Sequence, residues 1–327
     1  MQDILKDHPY IKELLKIEAE SVDRHEFHKN SHSLMAKMGQ DKEFLKLVLK
    51  RNFIDKGYQQ HEWSEFNIPF FYIYETDHFV LKLHIFPRNK EKIDGLAAHA
   101  IHHHNNYILS SYAFFGSGYE SMLFDKRPGV DNELISKMGI TNHFHQKDWN
   151  PSVVDSWEPH IVFVPDSLSA TLVLWTPDEK RKTDKLRQNP ILKPIKKPLR
   201  AIIHKLGMTN KLGIAENKTY QWYPDPKGRG FQAILEEEYF APSKAAKGPK
   251  VDEYSMNMIG FFIQNAELVD KKMIEEVIKQ PTMPEYMKKV LQRILNDEKI
   301  EEVFHIQEIN VPQKFYLRDD IFKVASK

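Results

Sequence analysis

The chain has 327 residues, enough for one large domain or two ordinary ones, and 41% of them are apolar, enough for a sizeable core. Its 47 basic and 46 acidic side chains leave a net charge of +1, which gives no reason to expect nucleic acid or a membrane surface as partner. There is no cysteine, which excludes disulfides, thiolate nucleophiles and cysteine–zinc sites, so any transition metal must sit on His, Asp or Glu.

Residues 1–66 read as a helical segment. Ile11, Leu14, Leu15 and Ala19 recur at helical spacing, and a second such run holds Phe44, Leu45, Leu47, Val48 and Leu49. The first residues, MQDILKDHPYIKELLKIE, carry charges throughout, and no stretch reaches the roughly 18–20 apolar residues of a membrane span. A soluble cytoplasmic protein is the expectation. From residue 67 to 178 the texture is that of short strands: FFYIYETDHFVLKLHIF, AAHAIHHHNNYIL, SGYESMLFD, HIVFV and ATLVLWT, separated by turn-rich pieces. In the first of these, Leu81, Leu83 and Ile85 share one face and Lys82, His84 and Phe86 the other. Such spacing predicts an antiparallel barrel or sandwich.

Residues 179–229 read as a basic, proline-containing linker or flap. Eleven Lys or Arg and one acid, Asp184, fall between Lys180 and Lys211, with a short helix expected around Leu199–Leu206. Residues 230–327 read as strands, at Gly230–Phe240 and Ser255–Gln264, followed by helices packing on the barrel. No internal repeat is present.

Four of the six residues from His99 to His104 are histidine. On a strand, His102 and His104 point to one face and His103 to the other. Two imidazoles on one face can grip one ion, and a third ligand from a neighbouring strand would leave positions open for water or substrate. The bland alternative is an exposed tract that binds metal adventitiously, with His99 and His103 solvated or hydrogen-bonded in the barrel wall.

The run GLAAHAIHHHNNYILSSYAFFGSGYESMLFD resembles the first cupin motif: a glycine before H-x-H, then a strand, a glycine turn and a strand ending in LFD. It is most similar to the three-histidine thiol dioxygenase branch, typified by cysteine dioxygenase, with Ile101-His102-His103-His104 as its I-H-x-H string. SWEPHIVFVPDSLSATLVLWTP resembles the second half, with His160 in the place of the third ligand and Trp175-Thr176-Pro177 at the strand end. The resemblance runs from Phe70 to Pro177. It implies a cupin-type antiparallel β-barrel, a double-stranded β-helix, flanked here by amino- and carboxy-terminal helices. It implies His102, His104 and His160 as ligands of iron(II), with zinc, nickel or manganese as alternatives.

The chain also departs from that branch. Asn105 to Leu109 offer no carboxylate, which fits a three-histidine set that leaves the ion its full charge. The Ser–His–Tyr relay of thiol dioxygenases falls on Thr171, Val173 and Trp175, so it is absent, and no arginine lies near Phe71–Tyr74 to grip a carboxylate. A substrate other than cysteine is therefore expected.

Other candidates weigh less. His143 and His145 form a second H-x-H without a downstream partner. His84 reads as structural. Tyr107, Tyr112, Tyr119, Phe163 and Trp175 read as core, with Tyr107 the catalytic candidate nearest the ligands. Arg88 reads as a solvated arginine, and residues 180–211 as a solvated flap. No phosphate loop, dinucleotide fingerprint, nucleophile elbow or zincin helix occurs. The function expected is a mononuclear non-haem iron oxygenase using O2 and a small-molecule substrate, allowing a homodimer and needing neither membrane nor nucleic acid. The alternatives are a redox-silent metal isomerase or hydrolase, and a non-catalytic ligand-binding barrel.

Overall fold

The computed structural model describes residues 4–59, 68–126, 128–146, 152–177, 219–236, 249–305 and 315–325. The first part is helical: α1 (Pro9–Glu20), α2 (Arg24–Gln40), α3 (Lys42–Ile54) and the single turn α4 (Lys56–Gln59). Short carboxylates start two of them. Asp23 accepts from the Glu26 N–H (2.9 Å) and Asp41 from the Phe44 N–H (3.0 Å), which satisfies donors that the first helical turn leaves unpaired.

Among the described residues nine strands follow: β1 (Phe70–Glu75), β2 (Val80–Phe86), β3 (Ile108–Phe115), β4 (Glu120–Phe124), β5 (Ile135–Ser136), β6 (Ile140–His145), β7 (Ser152–Val154), β8 (His160–Val162) and β9 (Ser169–Thr176). One sheet has the order β1-β2-β9-β3-β7 and another the order β6-β4-β8. Segment 96–102 lies alongside β8, through Ala97↔Phe163 and His102↔His160. Eight of these segments in chain order are β2, 96–102, β3, β4, β6, β7, β8 and β9. The first, eighth, third and sixth form one layer; the second, seventh, fourth and fifth form the other. That alternation is the double-stranded β-helix, the jelly-roll barrel on which cupins are built. Beyond it, β10 (Tyr220–Pro224) pairs with β11 (Phe231–Leu235), and Ile101 bridges to Trp222, extending the second layer.

Helices α5 (Pro249–Asn265), α6 (Lys271–Ile278), α7 (Glu285–Leu295) and α8 (Arg318–Val324) complete the fold. Residues Ser255–Gln264, expected as a strand, are helical. Their mix of aromatic and branched residues suits a strand, but Met256, Ile259 and Ile263, with Met258 and Phe262, recur three or four apart and are all buried on one helix. Gly260 lets α7 approach closely, since a Cβ there would lie 2.6 Å from Val290 Cγ1.

Two apolar cores cover the outer faces of the barrel. Leu81, Leu83, Ile85, Leu172 and Leu174 turn outward and pack with Leu34, Met38, Val48 and Phe262 of the helices. Phe124, Ile161 and Phe163 pack with Trp222, Phe231 and Ile321 on the other side. Because side chains alternate along a strand, Lys82, His84, Val173 and Trp175 must then face inward. The expected helix at Leu199–Leu206 and the basic stretch from Lys180 to Lys211 lie outside the described residues. Tyr220–Pro224, within the expected linker, is a strand.

The turn between β3 and β4 needs its glycine. Gly116 has φ +79°, and a Cβ there would lie 1.9 Å from the Leu168 carbonyl oxygen.

Candidate metal centre

The segment carrying the first histidine pairs with its neighbour as far as that residue. His102 pairs with His160 of β8: each backbone N–H donates to the other's carbonyl, at 3.0 and 2.8 Å. After His102 the chain leaves the sheet. Asn105 takes φ +51° in a turn closed by the Tyr107 N–H donating to the His104 carbonyl (3.0 Å). His104 therefore joins the cluster as the first residue of that turn and not from the strand on which it was expected beside His102, because the sheet pairing ends at His102.

The imidazoles nevertheless converge. One ligand nitrogen from each of His102, His104 and His160 lies within 4.8 Å of the others, and among the described residues this is the group of His, Asp or Glu side chains so placed. His102 Nε2 and His104 Nε2 are 3.0 Å apart. Two nitrogens held at right angles by one ion, each ~2.0–2.1 Å from it, stand ~3 Å apart. The other ring nitrogens of two of these residues are occupied. His102 Nδ1–H donates to the Ala100 carbonyl and His160 Nδ1–H to the Glu158 carbonyl, both at 3.3 Å. A carbonyl can only accept, so the proton sits on Nδ1 and the Nε2 lone pair is left for a cation, the usual arrangement behind metal-binding histidines. Burial, and then the neighbouring imidazoles, push all three well below the ordinary histidine value, so they are neutral. His102 and His160 thus offer neutral Nε2 lone pairs, and the spacing of His104 Nε2 from His102 Nε2 fits either an N–H···N hydrogen bond or a shared divalent ion.

The remaining candidates are dispersed. His103 turns away, its ring between Trp157 and Trp222 (5.2 and 5.9 Å). His99 is buried, with Nδ1 2.8 Å from the Ala100 carbonyl and its ring 4.4 Å from that of His102. His143 is exposed and pairs with Glu120, so the second H-x-H does not join the cluster. Arg88, read as solvated, is a half-buried bidentate partner of Glu302 (2.7 Å to each oxygen), and so fixes the carboxy-terminal part to the barrel. Tyr107 is 38% exposed, edge-on to Trp175 at 6.0 Å. Tyr119 lies inside, its hydroxyl 2.9 Å from Ser111 Oγ, which in turn meets Ser152 Oγ at 2.6 Å; burial pushes its phenol up to about 12.

The relay positions prove informative. Trp175 packs directly on His104, ring to ring at 4.4 Å. Lys82 and His84 face the same interior. The alternation of β2 marked them as a pair; only the burial of Leu81, Leu83 and Ile85 under the helices reveals which face is inward.

Helix α2 braces the turn behind His104. Arg24 donates to the carbonyls of Asn106 (2.8 Å) and Thr176 (3.2 Å). His28, fully buried, lies between Ser110 Oγ (2.7 Å) and Thr176 Oγ1 (2.8 Å).

Fold and site together define a double-stranded β-helix with a three-histidine candidate metal centre. No family model and no curated protein matches the chain. Among solved structures it is similar to the DMSP lyase DddQ from Ruegeria pomeroyi (15% identity, 35% of this chain and 49% of that one, TM-score 0.21). It is also similar to an oxalate decarboxylase variant from Bacillus subtilis (13%, 45% and 34%, TM-score 0.24) and a cupin-2 domain from Rhodospirillum rubrum (11%, 39% and 77%, TM-score 0.21). The match spans about half of the lyase.

Proposed function

We propose that His102, His104 and His160 hold one divalent ion, iron(II) in the first place, and that the chain is a mononuclear non-haem iron oxygenase acting on a small organic substrate. The observation that carries this reading is the convergence of three neutral imidazoles with two of their Nδ1 protons already spent on backbone carbonyls. When bound, iron(II) supplies the redox chemistry that O2 requires and holds both reactants close. The protein's own part is to orient and to exclude water. The carbonyls of Ala100 and Glu158 hold two rings in place, and Trp175 covers the third. Leu109, Leu123, Val154 and Val173 form an apolar interior beside them. With no carboxylate in the set, the ion keeps its full charge for an anionic reactant. Tyr107 is the proposed catalytic phenol at the rim.

A redox-silent zinc, nickel or manganese enzyme is the second reading, since three imidazoles and an open position also serve hydrolytic zinc. The test loads protein purified without a nickel column with iron(II) and screens small organic acids for O2 uptake. The oxygenase reading expects O2 uptake that disappears in His160→Ala and falls in Tyr107→Phe at unchanged iron content. Turnover that proceeds equally without O2 would instead favour the redox-silent enzyme.

A further inference from the structure

The barrel wall beside the histidine cluster is rich in donors. His84 and Thr171 are directly opposed on β2 and β9, as are Lys82 and Val173. Opposed residues of antiparallel strands share a face, so Lys82, His84, Thr171, Val173 and Trp175 line one surface. Its outward alternates, Leu81, Leu83, Leu172 and Leu174, lie in the core beneath the helices. On the inner surface three polar atoms are shielded from solvent and, among the described residues, have no hydrogen-bond partner: His84 Nε2, Thr171 Oγ1 and Trp175 Nε1.

Lys82 completes this surface. Its half-buried ammonium lies 4.4 Å from the ring centre of Phe70, 5.0 Å from Tyr72 and 6.0 Å from Trp175. Among the described residues it has no ion-pair partner; the acid acting on it is Glu75, at the exposed end of β1. Lysine and indole N–H can only donate, a threonine hydroxyl can donate, and His84 donates in its Nε2–H tautomer. A cation and three unfilled donor positions call for an acceptor with negative charge. Trp175, packed on His104, places this surface next to the cluster.

We propose that the substrate is a small organic anion, a carboxylate, whose charged end sits on Lys82 and is completed by Thr171, His84 and Trp175 while its reacting end faces the histidines. This rests on the metal reading for its reacting end, and on Lys82 alone for its charged end.

The test uses propionate and its neutral counterpart propionamide, titrated calorimetrically into the full chain, with metal content measured on the same samples. Wild type binds propionate in preference to propionamide. Lys82→Met weakens propionate binding by about tenfold or more and Lys82→Arg restores much of it, with metal content unchanged in both. Lys82→Met keeps a melting temperature equal to or above wild type, because a thioether chain suits the Phe70–Tyr72–Trp175 surroundings, so loss of binding is not loss of fold. His160→Ala loses metal and keeps the Lys82-dependent component. If wild type holds no metal but this component persists, the metal reading fails and the anion seat stands. Absence of propionate binding to wild type, equal binding of propionamide, or undiminished binding to Lys82→Met overturns the proposal.

Discussion

His102 and His160 are cross-strand partners through their main chains, and the same pairing that joins segment 96–102 to β8 sets their imidazoles 4.4 Å apart. Two of the three candidate ligands are thus positioned by backbone hydrogen bonds that do not need the side chains.

It follows that replacing either side chain leaves the barrel intact. His102→Ala and His160→Ala are expected to unfold in urea, in the presence of a chelator, within about 1–2 kcal/mol of wild type, the scale of a typical substitution. They should lose the extra stability that added metal gives wild type, about 4 kcal/mol when metal exceeds its dissociation constant a thousandfold. Collapse of the metal-free variants would mean that the histidines are core, not site.

Arg24 is expected to act on the site at one remove. It holds the Asn106 carbonyl, two residues beyond His104, and the end of β9. Arg24→Ala should lower metal affinity about tenfold, the lower end of the effect of groups that orient metal ligands, without changing metal stoichiometry at saturation. A competition titration with a fluorescent chelator reads this directly; an unchanged affinity would detach α2 from the site.

Acid should destabilise the protein through His28. Burial, then the unfavourable proximity of His25, His32 and Arg24 to a second positive charge, lowers it to about 3. The unfolded chain, with an ordinary value of about 6.5, binds a proton that the folded chain refuses. The stability is complete above about pH 6.5 and is lost as pH falls from there toward the folded value, by up to ~1.4 kcal/mol per pH unit from this residue. His28→Leu should be less stable at pH 7 by about 1–3 kcal/mol, since Ser110 and Thr176 lose their partner, yet show a shallower decline between pH 6 and 4. An unaltered pH slope in urea denaturation would contradict the assignment.

Gly116→Ala should fail to fold or lose more than about 3 kcal/mol, because the added carbon meets a backbone oxygen and the left-handed φ is strained together. Recovery of soluble, cooperatively melting protein at wild-type yield would contradict the turn as described.

Much of the barrel was legible because strand alternation and turn residues agree there. β1, β2, β4, β8 and β9 fall where aromatic and branched residues alternate, and α3, α6 and α7 where apolar residues recur every three or four. Ser255–Gln264 reads as a strand yet lies within the helix Pro249–Asn265, because short apolar runs satisfy both periods. His102, His104 and His160 were legible as candidates from spacing and resemblance, but the turn that delivers His104 was not, since asparagine is enriched in the left-handed region without being confined to it. Nothing in the sequence shows that Lys82 faces the barrel interior. An amphipathic strand announces two faces, and which one turns inward depends on helices far away in the chain.

The most direct test is elemental analysis of the full chain purified without a metal-affinity column, beside His160→Ala prepared in parallel. The account predicts about one redox-active divalent ion per chain in wild type, iron after iron supplementation, and none in the variant at equal fold content. Metal at the same level in both, or in neither after supplementation with iron, zinc, nickel and manganese in turn, would contradict it.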